Sequence, residues 1–195
     1  MDADGLTFAC ATVAEERVGR RAGLQTARIG VGAANGIPDG PRLVSFGLAG
    51  ALDGLPNGAV LDAARVVDED GNVLWEGEGL GVPDATRATI LAADRLVDDP
   101  AERRRLRERT GADAVVLESG ALARSGRLQG CLRVISDTPG RTLNGIWQGV
   151  KPQGRYDWVG LAGAFLRSPL GFARAAADGK RALRRLREVA VRMAS

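Results

Sequence analysis

Histidine is missing altogether: the 195 residues contain none. That excludes Ser-His-Asp triads, histidine-ligated zinc and imidazole general bases, so acid–base chemistry falls to aspartate and glutamate. Cysteine is scarce, with only Cys10 and Cys131. Both sit in apolar, strand-like stretches, which predicts buried thiols rather than a disulfide, and neither belongs to a zinc-ligand spacing. Aromatic residues make up 4% of the chain and do not interleave with basic ones in the manner of single-strand nucleic-acid binders. No apolar run is long enough to span a bilayer, and no basic-then-apolar leader opens the sequence. The expectation is a cytoplasmic protein with no metal, organic cofactor or nucleic-acid partner. Internal repeats and low-complexity segments are also lacking.

What is present is ordinary for a globular protein: 45% hydrophobic and 26% charged residues. The length predicts a single domain over residues 1–195, large enough to bury a sizeable core. Charge is unevenly spread. From Lys151 onward there are ten Lys/Arg and three Asp/Glu, a net +7, so the preceding residues sum to −4. A basic amphipathic helix is expected at about 172–192. Leu183, Leu186, Ala190 and Met193 lie on one side of it, and Lys180, Arg181, Arg184, Arg185 and Arg187 on the other. Covering the sheet is its simplest role; contact with an anionic membrane is the alternative.

The chain reads as alternating apolar strands and helices. Strands are expected at Leu6–Val13, Thr26–Val31, Arg42–Gly50, Ala59–Val67 and Ala88–Val97, with Val73–Asp84 irregular. Asp99–Arg109 predicts a charged, solvated helix. The most informative stretch is Ala114–Gly140. There a short strand (Ala114–Leu117) ends at Glu118, a small-residue helix comes next (Ser119–Arg124), and a second strand (Cys131–Ile135) delivers Ser136 and Asp137. As a crossover unit this would set the two strands side by side and parallel, with both carboxylates at the sheet edge where open α/β sheets bind ligands. The competing account is that Glu118 and Asp137 merely cap the helix or turn beyond them.

Leu117-Glu118-Ser119 followed by Arg133-Val134-Ile135-Ser136-Asp137 resembles the paired signature of the nucleoside phosphorylase and nucleosidase superfamily. The resemblance implies an α/β three-layer sandwich with a central mixed twisted sheet. Its tail, Gly149-Val150-Lys151-Pro152-Gln153-Gly154-Arg155 and Arg167-Ser168-Pro169-Leu170, is similar to the hopanoid-associated branch, which removes adenine from adenosylhopane. By this resemblance Asp137, positioned by Ser136, is the general acid at the leaving base. Glu118 clamps the ribose, Leu117 packs on the sugar face, and Leu96 lies against the base. Glu15 or Glu16 activates the attacking water; an ordinary acidic helix N-terminus is the competing account of both. Gly32 falls in the loop that contacts phosphate or water, and Gly47, Ala49 and Gly50 let backbone approach the ligand.

The sequence also departs from the family. Most of the helix after the Gly30-Val31-Gly32 loop is missing, Phe46 and Leu48 replace hydroxyl residues, and Val116 replaces an aspartate. Arg17 occupies a slot where relatives carry a further glutamate. The loss of hydroxyl donors favours water over phosphate as nucleophile. The alternatives are a phosphate-dependent phosphorylase with phosphate as co-substrate, a methylthioadenosine-type nucleosidase, a nucleoside-binding relative without turnover, and a generic α/β module. A homo-oligomer acting on a small, lipid-linked nucleoside is what the branch implies.

Overall fold

The computed structural model describes residues 5–143 and 145–194. Eight strands form one mixed sheet: β1 (Thr7–Cys10), β2 (Thr26–Arg28), β3 (Leu43–Ala51), β4 (Val60–Val67), β5 (Val73–Glu76), β6 (Thr86–Ala92), β7 (Ala114–Val116) and β8 (Leu128–Asp137). The accompanying helices are α1 (Val13–Arg21), α2 (Pro100–Thr110), α3 (Ser119–Arg124), α4 (Trp158–Arg167) and α5 (Pro169–Ala194).

The long strand β3 organises the sheet. Its first half pairs parallel with β1, which pairs parallel with β2. Its other edge runs parallel to β8 from Leu43 to Gly50, and its last residues, Gly50 and Ala51, turn to pair antiparallel with β7. Strand β8 then pairs antiparallel with β4, β4 parallel with β6, and β6 parallel with β7. The strands β3-β8-β4-β6-β7 therefore close on one another, and one apolar cluster draws buried side chains from all five. This corrects the expectation of a simple crossover: β7 and β8 are not neighbours, because β3 lies between them. Val73–Glu76 is likewise not irregular but an edge strand, antiparallel to β4 across the polar turn at Asp68-Glu69-Asp70-Gly71-Asn72. Strand β2 is shorter than expected and ends at Arg28, followed by a single 3-10 turn at Val31–Ala33 in place of a full helix.

Helices cover both faces because the strands alternate. Phe8, Val44, Phe46, Leu132 and Val134 point toward α5, which buries Ala182, Leu186, Val189 and Ala190 against them. Phe8 and Phe46 meet edge to face at 5.7 Å. Leu43, Ala49, Cys131 and Ile135 point the other way, toward Leu122 and Ala123 of α3. Cys10 and Cys131 are both buried free thiols, as their apolar surroundings predict. Local signals set the helix starts. Thr12 and Glu15 form a reciprocal capping box on α1, and Asp99 caps α2 with Pro100 in its first turn and left-handed Gly111 at its end. Helix α5 begins at Pro169, earlier than the expected start, since Pro fits a first helical turn.

Leu186 is fully buried under the sheet. Leu186→Ala should lower unfolding free energy by about 2–5 kcal/mol. A urea midpoint shift with an unchanged slope would show it.

Candidate active site

A cleft of about 430 Å³ opens at the ends of β3, β7 and β8, a volume suited to a small organic molecule. Glu15, Glu118 and Asp137 all line it, at 4%, 4% and 5% exposure. Three carboxylates so deeply buried need partners, and each has a distinct set.

Asp137 owes its position to an irregularity in β8. Ala49 and Gly50 of β3 pair with Ile135 and Asp137, so Ser136 is an extra residue that bulges from the ladder. The Ser136 hydroxyl donates to Asp137 Oδ1 (2.8 Å), and Asn57 Nδ2 donates to the Ser136 carbonyl (2.8 Å). Arg103 of α2 donates to Asp137 Oδ2 through Nη2. It also donates to the carbonyls of Val97 and Ala51, both at 3.0 Å. Burial pushes the Asp137 carboxyl above its ordinary value, against the charge of Arg103 and the hydrogen bonds from Arg103 and Ser136. Gly50 packs close to this pair: a Cβ there would lie 2.9 Å from Asp137 Oδ2.

Glu118 follows β7 and makes no capping hydrogen bond to α3. Its Oε1 accepts instead from the Gly32 amide (3.3 Å), and its Oε2 lies 3.7 Å from Arg133 Nη2. Burial, reinforced by the charge of Glu15, pushes Glu118 up, while Arg133 opposes. Arg133 is itself buried. It donates to the Ser45 hydroxyl, to Ser119 Oγ (3.3 Å) and to the Leu48 carbonyl (3.3 Å).

Glu15 has two functions in one side chain. Oε2 closes the capping box, accepting from the Thr12 amide (2.8 Å) and hydroxyl (2.9 Å), while Oε1 accepts from the Leu48 amide (2.7 Å). Gly47 sits directly behind it at φ 154°, where a Cβ would collide with Oε1. Burial and the charge of Glu15 raise the Tyr156 phenol, which also lines the cleft.

Most of the residues singled out in the sequence are brought together here. Leu117, Ala49, Gly50, Leu96 and Ser136 line the same cleft as the three carboxylates. Two are not in it. Glu16 points elsewhere and pairs with Arg28 at 3.1 Å. Gly32 lines a neighbouring cavity of about 340 Å³, which shares Leu117, Trp147 and Val150 with the main cleft.

Arg103 is a site residue that sequence reasoning missed, because its helix is expected to be solvated. Arg104 and Arg105 are exposed, but Arg103 and Leu106, three residues apart, are both buried. That spacing is the only signal of it. Also unforeseen are the outer wall residues Trp147, Tyr156, Leu161 and Phe172; Leu183, expected on the sheet-facing side of α5, joins them.

No protein-family model matches this sequence, and no curated protein matches it. Solved structures that share its fold over nearly the whole chain include methylthioadenosine nucleosidases and a futalosine hydrolase. An aspartate-to-asparagine mutant of the Helicobacter pylori methylthioadenosine nucleosidase, with 5′-methylthioadenosine in its active site, has a TM-score of 0.53 at 14% identity, covering 94% of this chain and 98% of that one. The Helicobacter pylori futalosine hydrolase gives 0.54 at 14% identity, covering 90% and 96%. The S. pneumoniae 5′-methylthioadenosine/S-adenosylhomocysteine nucleosidase, with a transition-state inhibitor, gives 0.57 at 12% identity, covering 91% and 99%. At these identities the likeness is one of fold.

The raised Glu118 makes a prediction about stability. Its folded form holds a proton that the unfolded chain releases, so its contribution to stability is greatest below the unfolded value of about 4.3 and is lost as pH rises through the folded one. Denaturant titrations of wild type and Glu118→Gln across that interval should therefore show the wild type losing stability relative to the variant as pH increases. A parallel pair of curves contradicts the assignment.

Proposed function

We propose that this chain is a nucleosidase that hydrolyses the N-glycosidic bond of a 5′-substituted adenosine and releases adenine. The observation that carries this reading is the convergence of three buried carboxylates, each differently partnered, on one cleft of a protein without histidine. The solved structures with the same fold support it.

Cleavage of the bond passes through an oxocarbenium-like state, as glycoside hydrolysis does. Adenine is a poor leaving anion, so a proton delivered to it lowers the barrier. Asp137 supplies that proton: its burial favours the protonated carboxyl, and the Ser136 bulge fixes its direction. Glu118 accepts hydrogen bonds from the ribose hydroxyls, which favour its carboxylate form, and that carboxylate stabilises the positive charge developing on the sugar. Glu15 rather than Glu16 takes the proton from the attacking water, because Glu15 lines the cleft and Glu16 lies outside it.

Water is favoured over phosphate as nucleophile. The Arg103 and Arg133 guanidinium groups are already engaged by Asp137 and by Glu118 with Ser45, and Phe46 and Leu48 bring no hydroxyl to the β3 end. The wall contributed by Ile146, Leu161, Phe172 and Leu183 is apolar and suits a hydrophobic 5′ substituent. Adenosylhopane, the substrate of the branch that the sequence resembles, has such a substituent.

Chromatographic assay of free base from adenosine, 5′-methylthioadenosine and a 5′-alkyl adenosine, each with and without phosphate, tests this. Adenine should form without phosphate and fastest from the alkyl derivative. Asp137→Asn should lower kcat by about 10²–10⁴-fold. Phosphate-dependent release, or near-full activity in Asp137→Asn, contradicts the mechanism.

A further inference from the structure

Helix α4 carries no charge until its last residue, Arg167, and is apolar on every side. Its inner side is accounted for: Leu161 lines the cleft, Ala164 is buried, and Gly160 lies against the Gln148 carbonyl. The outer side is not. Trp158, Val159, Ala162, Phe165 and Leu166 follow the spacing of one helical face, and Leu170 extends it into α5. Trp158, Val159, Leu166 and Leu170 have between 76% and 81% of their surface exposed. A contiguous apolar surface of this kind marks an interaction site.

Its surroundings indicate the partner. Lys151, Arg155, Arg167 and Arg174 are all exposed near it in sequence. Between Lys151 and Ala177 the one acidic residue is Asp157, which is occupied in capping α4 through the Val159 amide (3.3 Å). Tyr156 and Trp158 stand together at the start of the helix, ring centroids 6.5 Å apart. Apolar side chains, two amphipathic aromatics and flanking cations are the composition of an element lying in a lipid interface. Docking onto a second copy of this chain through the same face would set these cations against themselves across a two-fold axis.

We propose that the outer face of α4, with Leu170, docks onto an anionic lipid bilayer. The basic side of α5, the membrane candidate that the sequence suggests, is not the inserting element. Its apolar side is spent on the sheet, and among the described residues Val191 alone is a large exposed apolar side chain in the stretch that carries the exposed cations Arg181, Arg184 and Arg187. The docked face continues into the cleft. Phe165 packs edge to face on Phe172 at 5.7 Å, and Phe172 is part of the cleft wall. Docking itself stands on this surface alone; that it hands a lipid-linked nucleoside directly to the cleft rests on the nucleosidase reading above.

The test is sedimentation of the full chain with vesicles of phosphatidylcholine alone or mixed with phosphatidylglycerol, at low and high salt. The protein should pellet with the anionic vesicles and be released by salt. The double variant Trp158→Ser/Leu166→Ser, changed only at exposed positions outside the cleft, should partition at least about tenfold more weakly. Its adenine release from soluble 5′-methylthioadenosine should be unchanged. Wild-type protein staying in the supernatant with anionic vesicles overturns the proposal, as does a double variant that binds like wild type. A wild-type dimer that the double variant dissociates, without vesicle binding, overturns it in favour of a second copy covering the face. Vesicle binding without adenine release from any nucleoside supports docking and removes the nucleosidase reading.

Discussion

Two buried guanidinium groups hold the site together. Arg133 lies within β8 and ties Ser45 of β3, Ser119 of α3, the Leu48 carbonyl and Glu118 into one cluster. Arg103 reaches from α2 to Asp137 and to the carbonyls of Val97 and Ala51. Removing one partner from such a cluster leaves a charge uncompensated in a dry interior, which typically costs about 3–5 kcal/mol. The arginines therefore do more than neutralise charge. They fix where the carboxylates can sit, and so couple the geometry of the cleft to the fold of β3, β7 and β8.

The sheet topology explains why this arrangement is possible. Strand β3 is shared by β1, β7 and β8, and it changes partner where Gly50 abuts Asp137 and Arg103. Gly47 and Gly50 leave room for the side chains of Glu15, Asp137 and Arg103 rather than filling it themselves. The bulge at Ser136 adds the final adjustment, aiming the Asp137 carboxyl by one displaced residue. Around this polar floor the chain beyond residue 145 builds an apolar wall, so the cleft has a charged end and an apolar side.

Much of the floor was legible in the sequence. Strand-terminal Glu118 and Asp137, with Ser136 between strand and turn, are set by local pattern, and the absence of histidine narrowed the chemistry to carboxylates. The choice between Glu15 and Glu16 was not legible, because adjacent helix residues diverge by about 100° and only the docking of α1 on the sheet decides which faces inward. Pairing order was harder still: a strand-helix-strand run between Ala114 and Ile135 looks like adjacent parallel strands, and nothing local reveals that β3 intervenes. Arg103 was hidden beside Arg104 and Arg105 on a helix with a weak apolar stripe, since burial of an arginine depends on a distant carboxylate. The wall of the cleft was obscured for a related reason: Leu161 and Phe172 look like ordinary helical core positions, and their exposure to a cavity follows from how α4 and α5 close over the strand ends.

If these carboxylates direct water to the anomeric carbon of a nucleoside, the oxygen of that water must end up on the sugar. Turnover of 5′-methylthioadenosine in water enriched in heavy oxygen, with mass spectrometry of the released sugar, tests this directly. One heavy oxygen is predicted at the anomeric position in phosphate-free buffer, with incorporation abolished in Glu15→Gln and retained in Glu16→Gln. A sugar phosphate as the product, or undiminished incorporation without Glu15, contradicts it.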